Sequence, residues 1–149
     1  MPHKLYFYIF WITAVVSTMP MARLFAHAHT LHYEPESVTL IGTVEEQAFP
    51  GRPGYESIKN GDEVERGWYL RLSSAIDLEF AKNEGDSNAE PEKDVKVLQI
   101  AGVSDKAASA LLKLAGKRAK LRGVLFHAYT AHHHARVLLR VHSIEAAEP

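Results

Sequence analysis

The sequence predicts a mainly β domain made of five strands and one helix. Five segments either alternate apolar with polar side chains or are rich in β-branched and aromatic residues, as strands are. One further segment has the spacing of an amphipathic helix, and it lies between the third and fourth strands. Gly42 and Gly123 interrupt the first and fourth strands, where glycine often marks a sharp bend. This order and these bends are those of an OB-like, five-stranded Greek-key barrel.

The first three strands are predicted from their side-chain patterns. Residues 38–49, VTLIGTVEEQAF, are rich in β-forming residues. Residues 68–76, WYLRLSSAI, begin with apolar side chains at every second position, which is typical of a half-buried strand. The polar stretch at residues 81–94, AKNEGDSNAEPEKD, predicts a loop, and residues 95–100, VKVLQI, form the third strand.

The helix and the last hairpin follow. Ser104 is placed as an N-cap and Gly116 as the residue just beyond the last turn, so a helix of about three turns lies between them. Residues 117–128 and 135–144 read as the fourth and fifth strands. An all-β sandwich, the alternative, does not explain a helix inserted before the last hairpin.

The first 28 residues have the features of a secretory signal peptide. Residues 5–16, LYFYIFWITAVV, are an apolar run of about a dozen residues, whereas a membrane span needs ~20. Ala26 and Ala28 fit the small-x-small rule for cleavage before His29. We therefore expect a periplasmic or secreted protein. The remainder divides into a lead-in at residues 29–37, the barrel domain at 38–145 and a tail at 146–149.

Charge and composition exclude several classes of function. Removal of Lys4 and Arg23 with the signal peptide leaves 15 basic against 18 acidic residues, a net charge near −3. A nucleic-acid binder usually carries a basic stripe, so nucleic acid is not favoured as the partner. The chain has no cysteine, which excludes disulfides, cysteine catalysis and thiolate metal sites.

Two long connections hold the unusual residues, and in OB-folds the corresponding loops border the ligand face. One reads FPGRPGYESIKNGDEVERG and the other HAYTAHHHA. Each has a simpler interpretation, as a rigid connector or as a polar hairpin tip. The candidate partner-binding residues are Phe49, Tyr55, Glu56, Ser57, Asp62, His127, Tyr129, His132, His133 and His134.

The histidine cluster also suggests a metal site. In an extended segment neighbouring side chains point to opposite faces, so His132 and His134 can share an ion that His133 does not reach. Zinc, copper and nickel are the metals that such ligands favour. The candidate metal ligands are His127, His132 and His134, with Glu56 or Asp62 as a fourth. Otherwise we expect no cofactor.

Enzymatic interpretations have little support. A Ser/His/Asp set can be drawn from Ser57, His127 and Asp62, but almost any chain of this size permits such a choice. The sequence contains no GxSxG elbow, no HExxH helix and no glycine loop that would cradle a phosphate. We therefore predict that the protein is not an enzyme.

Three stretches, GTVEEQAFPGRPGYESIKNGDE, WYLRL and GVLFHAYTAHHHARVLLRVHSI, together resemble a bacterial family, domain of unknown function 4431. The resemblance covers most of residues 38–144. It implies an exported protein without an assigned activity, among relatives some of which look like fusions to lysozyme-inhibitor-like modules. Some relatives are expected to carry a cysteine in the second strand, where this chain reads SSAIDLEF, so no disulfide-based feature transfers.

These observations favour an exported, OB-like binding module that inhibits, or confers immunity against, an envelope-acting toxin or hydrolase. The expected partner is a protein or another envelope component. A periplasmic metal-binding or metal-stress protein is the alternative. A binder of oligosaccharides or oligonucleotides is a third interpretation, which the negative charge disfavours in its nucleic-acid form.

Overall fold

A computed structural model describes residues 29–80, 90–130 and 132–148, so the predicted signal peptide lies outside the described residues. Within them, six strands, one α-helix and one short 3-10 helix form. The strands are β1 His29–His32, β2 Ser37–Pro50, β3 Val64–Glu79, β4 Glu92–Ala101, β5 Arg118–His127 and β6 Val137–Ala146; α1 is Asp105–Leu114 and the 3-10 helix is Ile58–Asn60. The prediction of a mainly β chain with a helix before the last hairpin is confirmed.

The five predicted strands correspond to β2–β6, and β1 is an additional strand in the predicted lead-in. β1 pairs in parallel with the far end of β3, where His29 lies opposite Ile76. β4 begins earlier than predicted, at Glu92, inside the acidic stretch. Glu92 is buried, and its carboxylate contacts Arg136 and His127. These contacts offset the cost of removing its charge from water.

The strands form a six-stranded sheet in the order β1-β3-β2-β5-β6-β4, with an additional pairing between β3 and β4. The β1–β3 and β4–β6 pairs are parallel, and the other pairs are antiparallel. The start of β3 pairs with the end of β4, and the end of β4 pairs with the start of β6. The β2–β3 connection, which precedes β3, and the β5–β6 connection, which precedes β6, therefore lie at the same end of the sheet. This arrangement positions the candidate site described below.

Aliphatic side chains from every long strand make up the core, and Leu111 of α1 is fully buried with them. Ser104 caps α1, since its side chain accepts a hydrogen bond from the Ala107 N–H. Gly116 follows the helix with φ +73°, a backbone conformation that favours glycine. In the described ranges no helix is long and apolar enough to cross a membrane.

Two glycines allow neighbouring strands to approach closely. A Cβ atom at Gly42 would collide with the Arg71 carbonyl on β3, and one at Gly123 would collide with the Arg140 carbonyl on β6. Gly123 also lies at a register shift between β5 and β6, as expected for a bend. Both positions therefore require glycine for backbone packing.

Candidate functional site

The β2–β3 loop (residues 51–63) and the β5–β6 loop (residues 128–136) touch each other. The Tyr55 ring meets the His132 ring edge to face, with centroids 5.9 Å apart. His132 Nδ1 lies 3.0 Å from Glu65 Oε1, and His134 Nε2 lies 3.8 Å from the other oxygen of the same carboxylate. Glu65, at the start of β3, was not among the predicted site residues. We call the joined face of these loops, with Glu65, the two-loop surface.

Phe49 and His134 strengthen this junction by stacking. Their rings are parallel within 2°, with centroids 4.0 Å apart. Phe49, the second-last residue of β2, also packs against Tyr69, at a centroid distance of 5.7 Å. Tyr69 is fully buried beneath the pair, and the absence of a side chain at Gly67 leaves room for its ring. A small aromatic cluster therefore lies under the junction of the loops.

The Gln99 side chain on β4 forms hydrogen bonds to the backbone of the β5–β6 loop, which we call the histidine turn. Its side-chain oxygen accepts hydrogen bonds from the N–H groups of His134, at 2.7 Å, and Ala135, at 3.3 Å. Its amide nitrogen donates to the His132 carbonyl at 3.2 Å. Gln99 lies opposite Tyr69 in the β3–β4 register. Gln99 was not predicted as a site residue, because its role depends on strand register and not on any local motif.

Asp62 organises the β2–β3 loop from within. Its carboxylate accepts hydrogen bonds, each 2.8 Å long, from the backbone N–H groups of Gly54, Glu56 and Ser57. These bonds, with that from Ser57 the largest contributor, hold the pKa of Asp62 below its ordinary value. Asp62 is thus engaged by the loop itself. Glu56 and Ser57 take part through their backbones, and the Glu56 side chain is exposed.

His127 has different neighbours from His132 and His134. Its Nδ1 lies 2.9 Å from the Ala128 carbonyl, and its Nε2 lies 3.5 Å from Glu92. The Tyr33 ring meets it edge to face. Within the part of the chain that the structure describes, no group of three or more His, Cys, Asp or Glu side chains is arranged to hold a metal ion. The side chains that the structure brings near one another are His132, His134 and Glu65, and His127 is not among them.

His133 turns the other way, toward Tyr129 and Phe126. The Tyr129 N–H donates to His133 Nδ1 at 3.1 Å, and the two rings meet edge to face at 4.8 Å. Because Nδ1 accepts this bond, the imidazole is neutral. Burial, and then the neighbouring His132 and His134, lower the pKa of His133. Tyr129 is 70 % exposed on this side of the turn.

Two cavities flank the contact between His132, His134 and Glu65. The smaller, about 220 Å³, lies between the loops and is lined by Tyr55, Val64 and His132 among others. The larger, about 430 Å³, lies beside the Phe49–His134 stack over β3 and β4. Tyr55 and Ile58 of the β2–β3 loop are 41 and 40 % exposed, and Val64, the first residue of β3, is 49 % exposed. Apolar groups are thus concentrated at this end of the molecule.

Comparison with known proteins gives a match to a protein family. A family model described as a domain of unknown function, DUF4431, matches residues 97–145. This segment resembles DUF4431. It spans the second half of β4, α1, β5 and most of β6, and it includes the histidine turn and Gln99. The β2–β3 loop and the WYLRL strand lie outside the matched range. No curated protein and no solved structure matches the chain.

Proposed function

We propose that this chain is an exported, non-enzymatic, OB-like binding module. The two-loop surface binds a protein or another component of the cell envelope. The action is inhibition of, or immunity against, an envelope-acting toxin or hydrolase. The contact between Tyr55 and His132 carries this proposal, because it joins into one surface two loops whose residues lie more than 70 positions apart.

Strand pairing supports an OB-like barrel. β2 pairs with β3, β3 with β4, β4 with β6, β6 with β5, and β5 pairs again with β2. This closed cycle of five strands, with a helix between β4 and β5 in the chain, is the order expected of that Greek-key fold. In such folds the two connections that meet here border the ligand face.

The composition of the two-loop surface supports protein recognition. Tyr55 and Val64 expose apolar area, and Glu63, Glu65 and His132 line the same cavity. Aromatic anchors in a polar rim are typical of interface hot spots. The net charge of the whole chain, −1 with neutral histidines, does not favour nucleic acid.

The positions of Ser57, His127 and Asp62 support a non-enzymatic role. The Asp62 carboxylate accepts backbone N–H groups, including that of Ser57, while His127 contacts Glu92 and the Ala128 carbonyl. A catalytic triad needs the base to contact both the nucleophile and the orienting carboxylate. The contacts of these three residues serve the loop and β4 instead.

Site-specific crosslinking tests the proposal. A photoreactive residue at position 55 should capture a defined envelope partner, and the same residue at position 113, on the exposed side of α1, should not. Addition of unlabelled wild-type chain should compete with the capture. Equal capture from both positions would refute binding through the two-loop surface.

Metal binding is the second candidate. Glu65 lies beside both His132 and His134, and two imidazoles with a carboxylate suit zinc or copper, but the three described side chains are not arranged as a metal site, so an ion would have to draw them together. His132 is 55 % exposed, whereas His134 Nε2 is buried, so an ion would reach both only if the loop moved. The metal titration described in the Discussion distinguishes this role from protein recognition.

A further inference from the structure

The 430 Å³ groove beside the Phe49–His134 stack contains two buried polar atoms without partners. The Tyr69 hydroxyl has no hydrogen-bond partner in the described segments, and neither has His134 Nε2. Both side chains line the groove. Tyr69 is only 1 % exposed. Buried polar groups are nearly always paired, so two unpaired ones at one cavity call for an explanation.

Both atoms are suited to donate hydrogen bonds. Burial, and then the negative charge of Glu65, raise the pKa of Tyr69 to about 12, so its hydroxyl keeps its proton at neutral pH. His134 Nε2 faces Glu65 Oε2 at 3.8 Å, too far for a hydrogen bond. A nearby carboxylate nevertheless favours the tautomer with the proton on Nε2. The groove therefore holds two donors that lack an acceptor.

One charged side chain of the groove is available to an anion. Lys96 and Arg136 are the positive residues of the lining and Asp94 is the negative one. Arg136 also contacts Glu92 at 3.0 Å, whereas Lys96 is exposed and has no ion-pair partner among the described residues. Lys96 can therefore pair with a singly charged group, while Asp94, Glu92 and Glu65 would repel a phosphate dianion more strongly.

We propose that this groove binds a carboxylate group, carried by a small organic acid or by an acidic peptide. The carboxylate accepts hydrogen bonds from the Tyr69 hydroxyl and His134 Nε2, and Lys96 supplies the opposite charge. A planar carboxylate has enough acceptor positions for all three donors. The proposal goes beyond the two-loop surface and does not depend on its partner.

Binding requires a local movement. Both donor atoms are buried, so the ligand reaches them only when the side chains around them, including Phe49 and His134, shift. Gln99 forms hydrogen bonds to the backbone of the histidine turn, and Glu65 contacts the His132 side chain. These contacts are exposed or partly buried, which allows the turn to move without unfolding the core. Resonances of Phe49 and His134 should therefore change on binding.

Nuclear magnetic resonance titration of the full mature chain tests the proposal. The probes are N-acetylglycine, which carries a single carboxylate, its amide analogue N-acetylglycinamide, which carries none, inorganic phosphate, and a blocked Gly-Glu-Gly peptide. We expect saturable binding of at least one carboxylate probe below about 10 mM. The amide analogue should bind about tenfold more weakly, because a charged hydrogen bond is lost. Saturation by N-acetylglycine identifies a free acid as sufficient, and saturation by the peptide alone identifies a peptide ligand.

Three variants locate the site. Tyr69→Phe should weaken binding about fivefold, the effect of losing one hydrogen bond, while leaving the fold as stable as before, because the removed hydroxyl had no partner. Lys96→Gln should weaken binding to a similar extent. Lys93→Gln, on the same strand but outside the groove lining, should leave binding unchanged. No saturation by either carboxylate probe, equal affinity for acid and amide, or unaltered binding by Tyr69→Phe would overturn the proposal.

Discussion

The Glu65 carboxylate lies 3.0 Å from His132 Nδ1, across 67 positions of sequence. This contact links the beginning of β3 to the tip of the last hairpin. The hydrogen bond requires a proton on Nδ1, which the carboxylate favours by its charge. Both side chains are partly exposed, so the pair orients the loops more than it stabilises the fold.

A double-mutant cycle should detect this link. We expect Glu65→Ala and His132→Ala to be coupled by about 0.5 kcal/mol in free energy of unfolding, the range of exposed ion pairs. Urea denaturation of the four proteins at pH 6 measures the coupling. Glu56→Ala combined with His132→Ala is the control, because Glu56 is an exposed carboxylate in the neighbouring β2–β3 loop. Equal coupling in both cycles would show that the Glu65 contact is not specific.

Tyr55 should be a hot spot of the two-loop surface. Tyr55→Ala is expected to weaken partner capture by about 2 kcal/mol or more, because an aromatic anchor is lost. Its effect on stability should stay small, since the side chain is 41 % exposed. Tyr129→Ala tests the other side of the turn in the same assay. Lys113→Ala on α1 should bind as wild type does, and a matching loss in Lys113→Ala would point to a different surface.

The Asp62 carboxylate should make the β2–β3 loop sensitive to acid. Its folded pKa is lowered, so the stabilisation is complete above the unfolded value near 3.8 and is lost as pH falls through the folded pKa. Unfolding measured from pH 7 to pH 2 should therefore show a decline that Asp62→Asn reduces. Glu56→Gln is the matched control and should retain the wild-type decline. An identical pH profile for Asp62→Asn would contradict this assignment.

The metal-binding candidate predicts zinc or copper affinity in the micromolar range or tighter, with a rise in Tm. Combined His132→Ala and His134→Ala should abolish both effects. His127→Ala should leave them intact, since His127 contacts Glu92 instead. Calorimetry measures the affinity and the Tm shift together. Millimolar affinity, or binding without stabilisation, would remove this candidate.

Export should be accompanied by loss of the first 28 or so residues. Intact-mass measurement of protein recovered from the envelope fraction checks this, with a chain beginning at His29 as the expected product. Replacement of Ala26 and Ala28 by bulky residues should block the processing. Recovery of the full-length chain in the cytosol would contradict the expected location.

Local patterns in the sequence predicted the long strands and the helix, because alternation and capping are properties of neighbouring residues. Ser104 and Gly116 occupy the expected ends of α1. Glu65 and Gln99 were not predicted as site residues, since their roles arise from register and from contacts more than 30 positions away. β1 was missed because a four-residue strand carries too little pattern to be recognised.

Gln99 attaches the histidine turn through main-chain groups alone, with the carbonyl of His132 and the N–H groups of His134 and Ala135 as its partners. Any amino acid other than proline offers the same groups. The side chains of this turn are therefore open to diversification while its backbone path is retained. A library randomised at positions 129, 132 and 133, with Gln99 kept, would display new binding chemistries on an unchanged support.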